Sequence, residues 1–115
     1  MQRISTQFKM NTKFETYSTV VINVAHVTEH DGELLLSTDT NVRNLISYRD
    51  NIGLTQGINL PAGSQDMIEH ANALVEAGFS EHLRYILYAM HSNGYARVEI
   101  DSDGPIYECF QKFDW

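Results

Sequence analysis

With 115 residues, 43% of them hydrophobic, and a formal net charge of −7, the chain has material for one domain with a modest core. No apolar run approaches the roughly 18 residues of a membrane-spanning helix, and the opening MQRISTQFKM lacks a signal peptide's apolar stretch, so a cytoplasmic protein without membrane contact is expected. A single cysteine, Cys109, excludes an intramolecular disulfide and a thiolate-rich zinc site.

The charge is unevenly placed. Arg3, Lys9 and Lys13 fall in the first thirteen residues, which contain no acid; the remainder sets five basic side chains against fifteen acidic ones, a net of −10. Such a body repels a polyphosphate, so direct binding of nucleic acid is not expected. It suits a partner whose own surface is basic.

Residues 1–16 are polar and short of branched apolar side chains, as in a loose arm or a weak first strand; residues 17–115 are expected to form a single domain. TYSTVVINVAHV, residues 16–27, places Val20, Val21, Ile22, Val24, Ala25 and Val27 on both faces, the pattern of a central strand interrupted at Asn23. In the following TEHDGELLL, Thr28 is an N-cap and Asp31, three residues on, is the acidic partner of a capping box. A helix over 29–37 follows, weakened by Gly32.

NLISYRDNIGLTQGINLP, residues 44–61, holds two short alternating segments around Asp50-Asn51-Ile52-Gly53, which predicts a hairpin. Leu45 and Ser47 oppose Ile46 and Tyr48 on its first strand; Leu54, Gln56 and Ile58 share a face of the second. Ser64 then caps a helix over 65–77 whose apolar stripe is Ile68, Ala71, Leu74 and Val75, and Gly78 stops it. Ser80 caps a second helix with Leu83, Ile86, Leu87 and Met90 inward, ended by Gly94. In YARVEID, Ala96, Val98 and Ile100 point one way and Tyr95, Arg97, Glu99 and Asp101 the other, a half-covered strand. After the Asp103-Gly104-Pro105 turn, PIYECF alternates as a last strand. The order β-α-β-β-α-α-β-β predicts an α+β domain: an antiparallel or mixed sheet covered on one face by two to three helices.

VVINVAHVTE, a hairpin, a two-helix segment and the ending YARVEIDSDGPIYECFQKFDW together resemble a small uncharacterised family of bacterial, plasmid and phage proteins. The likeness spans residues 18–115 and is strongest at the end, where an aspartate-rich turn after a strand and a terminal Asp-Trp match Asp101, Asp103, Gly104, Asp114 and Trp115. The hairpin region NLISYRDNIGL is poorer in aromatics than is usual in such proteins. The resemblance implies genes on mobile elements, often near anti-restriction genes. It implies no catalytic residue.

Candidate chemistry is sparse. His26 and His30 flank the end of the first strand beside Asp31, but they straddle a strand–helix junction and lack the shared helical face of a zinc-protease motif. A catalytic role there would need all three to converge. His70 and His82 are expected on the surface, and His91 in a last helical turn, where its charge offsets the dipole. Cys109 has no evident base and is expected to be a small buried hydrophobe. Asp101 and Asp103 suit an Asx turn better than a calcium loop, and GLTQG lacks the lysine of a nucleotide loop.

Large aromatics beside charge are the usual anchors of protein interfaces. The residues expected to meet a partner are therefore Glu99, Asp101, Asp103, Tyr107, Glu108, Trp115, Tyr85 and Tyr88, with no catalytic residue, metal or cofactor. The expected function is an acidic, non-enzymatic protein-binding factor, an inhibitor of a host-defence complex that binds nucleic acid, acting as monomer or homodimer. The alternatives are a small metal- or histidine-dependent hydrolase and a self-associating structural protein.

Overall fold

A computed structural model describes residues 16–49 and 55–115. Apart from Thr16, the N-terminal arm lies outside them, as do the Asp50-Asn51-Ile52-Gly53 loop and Leu54.

Strands β1 (Thr19–Asn23), β2 (Tyr48–Arg49), β3 (Thr55–Asn59) and β4 (Arg97–Asp101) form one sheet in the order β1-β4-β3-β2. β4 runs parallel to β1 and antiparallel to β3, and β2 runs antiparallel to β3, so the sheet is mixed. The register sets Val20 beside Val98 and Ile22 beside Ile100; across β4, Val98 meets Ile58 and Ile100 meets Gln56. Because side chains alternate, these six line one face. Helices α1 (Glu29–Leu35), α2 (Thr40–Arg43), α3 (Ser64–Glu76) and α4 (Glu81–Ser92) bury Leu35, Val42, Met67, Ala71, Leu74, Leu83, Ile86 and Leu87 in the same core. The domain is thus α+β, with helices over one face.

Local chemistry explains most boundaries. Ser80 accepts the Leu83 N–H and starts α4, and Leu83, Ile86 and Leu87 are buried as their spacing requires. Gly78 and Gly94 end α3 and α4 at positive φ, 113° and 86°, where a side chain would be strained. Thr28 and Asp31 form the expected capping box. The fully buried Asp31 carboxylate also accepts the backbone N–H and hydroxyl of Ser80, tying the N-termini of α1 and α4 together.

Several expectations give way. β1 is an edge strand, not a central one: Asn23 caps a 3-10 turn at Val24–His26, which redirects Val27 into the core. α1 ends at Leu35, and α2, capped by Asp39, follows where no helix was expected. Leu45 and Ile46 pack against the core from a turn ahead of β2. On α3, Met67 takes the inward position and Ile68 is exposed; periodicity does not separate neighbours one position apart on the rim of a stripe. Gly63, without a side-chain cap, precedes Ser64, the first helical residue. Finally, PIYECF is not a strand.

Candidate partner-binding surface

Residues 104–115 form a strap that lies along residues 22–27 and is held there by hydrogen bonds from both partners. The Asn23 N–H donates to the Pro105 carbonyl (2.9 Å), and its side-chain amide donates to that of Gly104 (2.9 Å). A Cβ on Gly104 would stand 2.9 Å from the Ile22 carbonyl, so only glycine permits this approach. The Phe113 N–H reaches the Ala25 carbonyl at 2.8 Å, and the Trp115 indole N–H reaches that of Val27 at 3.1 Å. The indole lies over Gly32, where a Cβ would meet Cη2 at 2.5 Å.

His26 sits at the centre of this arrangement and is fully buried. Its Nε2 accepts the Tyr107 N–H at 2.9 Å; Nδ1, 2.9 Å from the Gln111 carbonyl, must therefore carry the hydrogen and donate. A turn with Phe110 N–H on the Tyr107 carbonyl brings both rings to the imidazole, Phe110 edge-on at 5.6 Å and Tyr107 stacked at 6.3 Å. That turn is why alternation fails here. It also points Cys109, expected inside, into solvent.

Beside the strap, at the end of the parallel β1–β4 pair, is a groove of about 270 Å³. Val24, Leu35, Leu36 and Trp115 give it apolar walls, Gln56 contributes from β3, and Glu33 and Ser102 add polar groups. Trp115 and Leu36 are each 53% exposed. Asp101 and Asp103 flank Ser102 and form the expected Asx turn, the Asp101 carboxylate accepting the Asp103 N–H at 2.8 Å.

The opposite face of the sheet is polar and largely self-satisfied. The Tyr48 ring lies across Gly57, and its hydroxyl donates to Glu99 at 2.7 Å. Burial, that hydrogen bond and the Glu99 charge push the hydroxyl up to about 12. The Arg97 guanidinium lies 5.7 Å from the Tyr17 ring centre and 5.6 Å from that of Tyr48, with Nε donating to Asn59 at 2.9 Å. Sequence reasoning missed Tyr17, Tyr48 and Arg97. A tyrosine in a hairpin strand opposite a glycine in the next was the available signal.

A family model described as "Family of unknown function (DUF5983) C-terminal domain" matches residues 19–115. The chain belongs to this family. No curated protein and no solved structure matches it. The match runs from the first residue of β1 to Trp115, so the strap is within the DUF5983 domain.

Of the residues expected to meet a partner, only Trp115 lines the groove; Asp101 and Asp103 flank its Ser102, with the Asp101 side chain on the polar sheet face beside Thr55. Glu99 lies on the polar sheet face, Glu108 is exposed on the strap, and Tyr107 is half-buried against His26. Tyr85 is exposed on α4, whereas Tyr88 packs on the core. The acids do not gather into one patch, because Asp66 and Glu69 are exposed on α3, across the sheet from Glu99. Leu36, missed by sequence reasoning, stands just past α1, where its apolar neighbours suggest burial.

The histidines also part company. His30 is exposed and 3.9 Å from Glu33, Asp31 faces Ser80, and His26 faces the strap, so the three do not converge. His70 and His82, expected on the surface, are half-buried with Nε2 unpaired; burial holds His70 below its ordinary pKa. His82 lies edge-on to Phe113 at 5.0 Å. Among the described residues, no group of three or more His, Cys, Asp or Glu is placed to hold a metal, and no helix is long and apolar enough to cross a membrane.

Proposed function

We propose that this DUF5983 domain is a non-enzymatic protein-binding module that takes an apolar side chain of a basic partner into the groove beside Trp115. One observation carries the reading: two half-exposed apolar side chains, Trp115 and Leu36, border an apolar groove whose rim carries Glu33 and lies next to the Asp101–Asp103 turn. Exposed apolar surface rimmed by charge is typical of interaction sites. Carboxylates there would speed encounter with a basic surface, and the desolvated anchor would supply most of the affinity. Binding is preferred to catalysis because His26, His30 and Asp31 are engaged separately.

The partner class we propose is a host-defence complex that binds nucleic acid. Its support is the net −10 of residues 14–115, which attracts a basic surface although the described acids are dispersed over the molecule, and the resemblance to proteins of mobile elements. The test is capture from a bacterial lysate by the immobilised full chain and by Leu36→Ser, an exposed position whose change spares the core. The supporting result is a basic protein held at about 50 mM salt, released at about 300 mM, and lost with Leu36→Ser. No capture, or equal capture by the variant, overturns it.

A further inference from the structure

We propose that the C-terminal strap is a proton-loosened latch, keyed by His26, which builds the groove wall when docked and opens more often in acid. The consequence for binding rests on the function proposed above; the latch itself rests on the hydrogen bonds of one imidazole.

Both ring nitrogens of His26 are occupied by the strap backbone, and they have opposite roles. Nδ1–H donates to the Gln111 carbonyl, while the lone pair on Nε2 accepts the Tyr107 N–H. A proton taken from water must bind at Nε2, the only ring position with a free pair. The pair is then gone, and two N–H groups face each other across what was a 2.9 Å hydrogen bond. The cation also lies in a fully buried site against Phe110 and Tyr107. Neither nitrogen faces a carboxylate to offset the charge.

The titratable groups on the surrounding segments offer no substitute. Tyr107 is stacked on the ring, and Glu108, Cys109, Lys112 and Asp114 are exposed on the strap. On α1, Glu29, His30 and Glu33 are exposed and Asp31 is held by Thr28 and Ser80. On α4, His82 lies against Phe113 and the exposed Glu81 pairs with Arg84. Lifting the strap lets water solvate the imidazolium, and it also removes Trp115 from Gly32 and Val27, which opens the groove.

Hydrogen exchange by NMR on the free, full-length chain tests this at about pH 7.5 and about pH 5. In acid, the protection factors of the Tyr107 and Phe113 amides and the Trp115 indole should fall at least about tenfold, while the α3, α4 and β4 amides stay protected. His26→Gln, whose amide offers one donor and one acceptor, should remove this pH dependence; His70→Gln should keep it. Equal strap protection at both pH values overturns the latch, as does loss of strap and core together, or an unchanged response in His26→Gln. Should that variant not fold, the wild-type imidazole ¹⁵N shifts decide: a charged His26 under a still-protected strap also overturns it. These signals need no partner, so they fail or hold separately from lysate capture.

Discussion

The Asp31 carboxylate takes three hydrogens from two helices: the Thr28 N–H, and the N–H and hydroxyl of Ser80. Their shared acceptor is fully buried and the donors are half-buried, so a donor left without it bears much of its desolvation cost. Asp31→Ala should therefore destabilise the fold by about 2–3 kcal/mol, well beyond a surface cap, as read from urea midpoints. His70 sets a different dependence. Burial lowers its pKa from the ordinary 6.5, so below that value the unfolded chain binds more protons than the folded one. Stability is then complete at neutral pH and declines as pH falls through and below about 6.5. Replacing His70 with Gln should shallow this decline in unfolding curves taken from pH 7.5 to 5; a decline of the same slope would remove His70 as its source.

Single elements set competing effects against each other most clearly at Gly32. Alanine in a helix interior gains about 1 kcal/mol over glycine, yet here its Cβ would strike the Trp115 ring. Gly32→Ala should leave the urea midpoint nearly unchanged while the emission of Trp115, the only tryptophan, shifts to the red. A strengthened helix with unaltered emission would mean that the indole has another seat. The elements also divide by what the sequence reveals. α4 was legible because its cap, stripe and terminator lie within fifteen residues and agree. The alternation of β4 was legible because one face is apolar and the other charged. PIYECF carries the same alternation, yet what decides its conformation is His26, 81 residues earlier. No local pattern contains that partner, nor the crossing of Trp115 onto Val27, 88 residues away. The groove was hidden for the same reason, since its walls come from the turn after β1, α1 and the residue past it, β3, the turn after β4 and Trp115.

For the molecule as a whole, the question is whether the strap belongs to the core or merely rests on it. Phe110 is 8% exposed and joins the core cluster, and both His26 nitrogens depend on strap backbone, whereas Phe113 and Trp115 are each held by one hydrogen bond and Asp114 is exposed. Two truncations separate these contributions. A chain ending at Lys112 retains both His26 hydrogen bonds and Phe110; it loses the Phe113 and Trp115 contacts, and should cost about 1–2 kcal/mol. A chain ending at Gly104 also uncovers Phe110's site and exchanges both imidazole hydrogen bonds for water, and should cost about 3–4 kcal/mol in total. Domains of this size commonly have about 5–15 kcal/mol to lose, so even the shorter chain should unfold in one cooperative urea transition at a lower midpoint. Equal midpoints for the two would place the strap's contribution in its last three residues and leave His26 without a structural role. Failure of the shorter chain to fold would make strap and core one cooperative unit, and a strap that cannot leave alone cannot serve as a latch.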